Sequence, residues 1–219
     1  LDADASGPLT FMDVWDMMCK TIMSAGSRRG AMMATMICTH PDIIRFITAK
    51  HDPLKLRMFN VSVMCTDDFM TAVREDAEWV LKHKSPPAKP LAIDGAFHDA
   101  DGNYYYEVVR AKDIWNLIMQ NTYDHAEPGV IFIDRINKRN NLWYFEKIAS
   151  TNPCGEQPLP PYGACLLGSL NMTQFVLNPF STQAKIDWPA LEKATRDAVN
   201  MLDSVIDISN FPLKAQRYE

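Results

Sequence analysis

Short apolar runs alternate along this chain with stretches whose apolar residues recur every three or four positions. That alternation constrains the fold more than any other feature. Residues 9–24 carry Phe11, Val14, Trp15, Met18, Cys19 and Ile22 at helical steps, with Thr10 after Pro8 as the expected N-cap and a turn from Gly26 to Gly30 as the stop. Residues 31–38 then read as a short buried strand. Pro41 opens a second helix through Ala49, with Thr39 or His40 near its cap. Residues 59–64 alternate as a strand, and Thr66-Asp67-Asp68 starts a third helix toward Val73. Helical spacing returns over 111–125. Pro128-Gly129 is a turn, 130–133 a fully buried strand and 165–172 another strand. Residues 188–208 form the last helix, with Leu191, Ala194, Ala198, Leu202 and Val205 on one face. Strands and helices alternating in this way predict an α/β architecture with a largely parallel sheet or barrel. The strands are too few for most closed barrels, so the chain reads as part of something larger.

Residues 74–110 break the pattern. Lys and Pro dominate 82–90 and Asp and Gly 94–103, which predicts a surface excursion with a hairpin. Composition narrows the function classes. The net charge of −5 argues against a surface that coats nucleic acid. No run approaches the roughly 20 apolar residues of a membrane span. The start has neither a signal peptide nor an initiator Met, which suggests a chain cut from a longer, cytoplasmic one. Five cysteines with no CxxC spacing make a poor zinc site and a poor disulfide framework, and they fit a reducing compartment. Cys19, Cys38 and Cys65 lie in apolar periodic segments and are expected to be inert core residues. The five histidines are scattered and suggest no ligand set.

Between 150 and 170 packing no longer explains the sequence. The run Asn152-Pro153-Cys154-Gly155-Glu156-Gln157-Pro158-Leu159-Pro160-Pro161 can be neither helix nor central strand. A proline-stiffened loop holds its side chains at low entropic cost. Asn152, Cys154 and Glu156 alternate, so an extended loop would aim all three to one side. A thiol, a carboxylate and an amide at one spot suit hydrogen-atom abstraction, proton transfer and orientation of a hydroxyl. The same residues also fit a rigid turn with a buried cysteine and a solvated glutamate.

The run Asn152-Pro153-Cys154-Gly155-Glu156, with Cys165 and Leu166-Leu167-Gly168-Ser169-Leu170-Asn171 behind it, resembles the finger loop of ribonucleotide reductases. Pro153 makes the likeness strongest to the adenosylcobalamin-dependent class. Further stretches resemble family landmarks in family order: 4–11, 24–31, His40-Pro41-Asp42-Ile43, 59–63 and 128–132. The resemblance covers essentially the whole chain.

It implies a central part of the ten-stranded α/β barrel of the catalytic subunit, incomplete at both ends, with a surface insertion at 74–110. It implies that Cys154 carries a transient thiyl radical that removes the ribose 3′-hydrogen. Glu156 would be the general base on the 3′-hydroxyl, and Asn152 would hydrogen-bond the substrate there. Cys165 would be half of a redox dithiol whose partner lies upstream, outside this chain. Residues 24–31 would read a deoxynucleotide effector, with Arg28 on the base and Ser24 beside it. Taken alone, Arg28 and Arg29 fit a solvated turn capping a helix C-terminus better, since cations are favoured there. Adenosylcobalamin, a ribonucleotide, a thioredoxin-like reductant and a homodimeric full-length form are the implied partners, without a metal ligand in this chain. The chain alone is expected to be inactive. A glycyl-radical enzyme barrel, which also presents a loop cysteine, and a degenerate non-catalytic domain are the competing readings. Cys165 and the Asn-x-Cys-x-Glu pattern favour the reductase over both.

Overall fold

The computed structural model describes residues 6–24 and 28–217. The chain divides into two compact units, Leu1–Pro161 and Tyr162–Glu219. The first opens with α1 (Pro8–Thr21), followed by a two-stranded hairpin of β1 (Met23–Ser24) and β2 (Arg28–Arg29). Next come β3 (Met32–Ile37), α2 (Ile43–Ile47), β4 (Phe59–Cys65) and α3 (Asp67–Glu75). An antiparallel pair, β5 (Glu78–His83) and β6 (Tyr104–Arg110), leads into α4 (Ala111–His125). The unit ends with β7 (Gly129–Phe132), α5 (Ile133–Arg139) and a small hairpin of β8 (Ser150–Thr151) and β9 (Pro158–Leu159).

The expected parallel sheet is present, with strand order β3-β4-β7 and both pairings parallel. Its central strand is the most buried: Phe59, Val61, Val63 and Cys65 line the face turned to the core, and Ser62 is buried on the other. Helices α2, α3 and α4 pack on it through Ile43, Phe46, Phe69, Ile114 and Ile118. Thr66 caps α3 by accepting the Phe69 amide at 3.1 Å, as its hydroxyl and the two following aspartates predict. The predicted hairpin lies between α3 and α4, and its base belongs to the core. Leu81 is buried, and the Trp79 indole donates to the Cys38 carbonyl at 3.0 Å.

In this unit the expectations for α1, β7 and α2 need correction. Helix α1 starts two residues earlier than Thr10, whose hydroxyl instead donates back to the Ser6 carbonyl at 2.8 Å. Its buried face is Met12, Asp16 and Cys19, while Phe11, Val14, Trp15, Met18 and Ile22 are exposed. Polar satisfaction accounts for the inversion. The Asp16 carboxylate accepts the Met58 amide at 2.7 Å and pairs with Lys20 at 2.6 Å, so the acid can face inward without an unpaired charge. The strand at 130–133 is only partly covered: β7 is an edge, Phe132 is exposed, and Ile133 already begins α5. The second helix is also shorter than expected, because the backbone first turns at 41–42, where the Asp42 amide donates to His40 Nδ1 at 3.0 Å.

The second unit is built on α6 (Trp188–Ile208), which coincides with its predicted span. Asp187 caps it by accepting from the Ala190 amide at 3.1 Å. Leu191, Ala194, Ala198 and Leu202 are half-buried along one face, and Val205 is exposed. A short antiparallel pair, β10 (Val176–Leu177) with β11 (Lys185–Ile186), precedes it. The strand expected at 165–172 does not form. An extended segment needs a neighbouring backbone for its N–H and C=O groups, and none pairs with it among the described residues. Asn171 instead accepts from the Thr173 amide at 3.1 Å and turns the chain into the short 3-10 helix Met172–Phe175.

Candidate active site

The cysteine loop is a β-turn closed by its own first residue. The Gly155 amide donates to the Asn152 carbonyl at 3.0 Å, which makes Pro153 and Cys154 the two central residues. Asn first, Pro second and Gly fourth is the residue choice such a turn favours. Gly155 has φ +81°, a conformation that costs glycine little and any other residue more. Beyond the turn, the Asn152 amide donates to the Gln157 carbonyl at 3.1 Å, and β8 and β9 pair at Ser150–Leu159 and Thr151–Pro158.

This geometry replaces the extended loop expected from the alternation. Asn152 and Glu156 meet because the chain folds back. The Asn152 Nδ2 donates to Glu156 Oε1 at 2.5 Å, and Asn152 Oδ1 accepts the Gln157 amide at 3.0 Å. Cys154 is exposed at the tip, not buried as in the rigid-turn alternative. It lines a cleft of about 490 Å³ together with Met33, Asn60, Ser62, Glu127 and Gly129.

The cleft has a structured wall. Strand β7 pairs with β4 only from Ser62 onward, so the first residues of β4 lie beyond its reach. Glu127 takes its place, accepting the Val61 amide on Oε1 at 2.9 Å. Lys50 pairs with the other carboxylate oxygen and donates to the Phe59 carbonyl at 2.6 Å. Asn60 then donates from Nδ2 to the Pro153 carbonyl at 2.5 Å. The sequence reading missed Lys50, Asn60 and Glu127. One signal was available for Asn60: asparagine is unfavourable inside a strand, yet it sits within Phe59-Asn60-Val61-Ser62-Val63.

The other candidates are placed as follows. Cys165 belongs to the second unit, in an irregular segment, as a half-buried free thiol. Ser24 and Arg28 are backbone partners across the β1–β2 hairpin; their side chains lie outside the described residues. Cys19, Cys38 and Cys65 are buried, as expected of core cysteines. Burial pushes the Cys38 thiol up, and burial with Cys38 alongside pushes Cys65 up to about 12. Both therefore stay protonated and unreactive near neutral pH.

A family model for "Ribonucleotide reductase, barrel domain" matches residues 1–219. The chain is 37% identical over 211 residues to a vitamin B12-dependent ribonucleoside-diphosphate reductase of Thermoplasma acidophilum, covering 96% of this chain and 25% of that protein. A vitamin B12-dependent ribonucleoside-diphosphate reductase of Mycobacterium tuberculosis is 34% identical over 209 residues, covering 95% and 27%. A ribonucleoside-diphosphate reductase large subunit of Monkeypox virus is 25% identical over 224 residues, covering 95% and 28%. The chain thus spans about a quarter of the length of these relatives. The match over its full length, with an exposed cysteine held at the tip of an Asn-Pro-Cys-Gly turn, places this chain in the ribonucleotide reductase family, within the barrel domain.

Proposed function

We propose that the protein carrying this chain reduces ribonucleotides to 2′-deoxyribonucleotides for DNA synthesis, with the thiol of Cys154 as the site of a transient thiyl radical. The observation that carries the proposal is the pairing of Asn152 with Glu156 across a turn whose tip exposes Cys154 to an open cleft. Hydrogen abstraction needs a sulfur that substrate can approach, and the tip supplies one. The 3′-hydroxyl must then lose its proton as the 2′-hydroxyl leaves as water, which calls for a carboxylate held still. Asn152 holds Glu156 by donating to it, which keeps one oxygen oriented and the other free to accept. The two electrons of the reduction come from a dithiol of which Cys165 is one half. A thioredoxin-like donor restores that dithiol after it becomes a disulfide.

Adenosylcobalamin fits the cleft by one criterion: an external radical source must reach the Cys154 sulfur, and that sulfur is exposed. The lining residues beside that sulfur, Met33 and Ser62 among them, would hold the group there. When bound, the group supplies the radical equivalent that oxidises the thiol. The β1–β2 hairpin, with Ser24 and Arg28 in register, is the segment that reads a deoxynucleotide effector in a homodimeric full-length enzyme.

The full-length protein, supplied with a ribonucleoside diphosphate and a dithiol protein donor, tests this reading. Deoxynucleotide is expected only with adenosylcobalamin present, and Cys165→Ala is expected to abolish turnover driven by the protein donor. Product formed without adenosylcobalamin contradicts the cofactor assignment. Full turnover in Cys165→Ala contradicts the dithiol assignment.

A further inference from the structure

The turn around Cys154 fixes its own shape, but its internal bonds do not fix where it stands against the sheet. The hairpin beneath it has only two residue pairs, Ser150–Leu159 and Thr151–Pro158. Three polar side chains from elsewhere in the same unit hold successive residues on the approach to the cysteine. Asn137 of α5 takes both backbone groups of Ile148, accepting its amide at 2.9 Å and donating to its carbonyl at 3.0 Å. Thr35 of β3 shares a hydrogen bond with the Ser150 hydroxyl at 3.1 Å. Asn60 of β4 donates to the Pro153 carbonyl at 2.5 Å. The last of these is the closest to the chemistry, because the Pro153 carbonyl and the Cys154 amide belong to one planar peptide unit.

We propose that Asn60 is a positioning residue for Cys154: its amide holds the Pro153–Cys154 peptide plane and so sets where the sulfur stands in the cleft. The inference rests on the function proposed above. Asn60 suits the role because of where β4 ends. Its partner in β3 is Met33 and β7 does not pair with it, and its side chain is exposed and reaches the loop. The bonds that Lys50 and Glu127 make to Phe59 and Val61 fix the backbone on either side of Asn60. An anchored backbone gives the short asparagine side chain little slack. A serine at this position would lack the reach, and an aspartate would set a carboxylate oxygen against the carbonyl it must serve.

The test uses the full-length protein with Asn60→Ala, Asn60→Asp and Asn60→Gln, the last keeping a side-chain amide donor. Displacing a reacting group by about 1 Å can cost about 100-fold. Asn60→Ala and Asn60→Asp are therefore expected to lower kcat by about 10- to 100-fold, with KM for the nucleotide within about twofold. Asn60→Gln is expected to recover at least part of that loss. A second readout needs neither cofactor nor turnover: the rate at which iodoacetamide alkylates Cys154, followed by mass spectrometry on the folded protein. It should change in Asn60→Ala and Asn60→Asp while Cys65 stays protected, which separates a moved loop from an unfolded sheet. Wild-type kcat together with wild-type alkylation of Cys154 in Asn60→Ala overturns the proposal. So does exposure of Cys65 in that variant, which would make Asn60 a general stability residue. If the wild type reduces no ribonucleotide, the reductase reading fails, while the alkylation rates still decide whether Asn60 holds the cysteine.

Discussion

Five cysteines of identical covalent structure have been set to different uses by their surroundings. Cys38 and Cys65 are buried with raised thiol pKa values, so the thiolate is scarce and the sulfur shielded. Cys154 is exposed at a turn tip. Iodoacetamide at mildly alkaline pH should therefore modify Cys154 well before Cys38 or Cys65 in the folded protein. Comparable rates at all three, read by peptide mass spectrometry, would contradict the placement. Gly129 offers a second test at this scale. A methyl group there would stand 2.7 Å from the Ser62 hydroxyl across the β4–β7 pairing, so the hydroxyl must rotate or the strands part. Gly129→Ala is expected to destabilise the fold by about 1–3 kcal/mol, as overpacking does. Thermal unfolding should show partial recovery in Gly129→Ala with Ser62→Ala. Residue-scale features were legible unevenly in the sequence. The turn-forming Asn-Pro-Cys-Gly could be read directly, because each residue type has its own turn preference. Lys50 and Glu127 could not, and Asn60 showed only as an asparagine out of place in a strand, because their meaning comes from contacts between residues distant in the chain.

At the scale of elements, local signals succeeded where they were sufficient in themselves. Helices α4 and α6 have the predicted spans, and Thr66 caps α3. Thr66→Ala should lower the free energy of unfolding from a denaturant titration by about 1 kcal/mol. Failures came where burial depended on partners. The outward apolar stripe of α1 reads as a core face until Asp16 is seen satisfied inside. Residues 165–172 have the composition of a strand but no paired neighbour among the described residues. One contact between elements carries a pH dependence. His40, in the turn before α2, meets His83 of β5 edge-on at 5.1 Å between ring centroids. Burial first, and then His83, hold the His40 imidazole below its ordinary value of 6.5, while Asp42 opposes them. The unfolded chain therefore takes up a proton that the folded one resists. This contribution to stability is present above pH 6.5 and is lost as pH falls through that value toward the lower folded one. Thermal midpoints should drop on acidification from about pH 7.5 to about pH 5.5, and drop less in His40→Gln. Parallel pH profiles for the two proteins would contradict the assignment.

On the scale of the whole molecule, the chain builds a recognisable part of a barrel and leaves much apolar surface open. Phe11, Trp15, Trp143, Tyr144, Phe145 and Trp188 are all exposed. Apolar patches of this kind mark surfaces made to be covered, and the relatives are about four times longer than this chain. The 219-residue chain by itself is expected to self-associate in size-exclusion chromatography and to form no deoxynucleotide. A monomeric, active chain would contradict that expectation. The parallel sheet was legible from the alternation of strands and helices, whereas the cleft beside Cys154 was not, since its walls come from β3, β4, the α4–β7 connection and the loop. The central claim is that this cleft works through the sulfur of Cys154. Its most direct test is deoxynucleotide formation by the full-length protein carrying Cys154→Ala, with adenosylcobalamin, substrate and reductant present. The predicted result is no product above background from a protein that folds and binds nucleotide like the wild type. Undiminished product would contradict the claim.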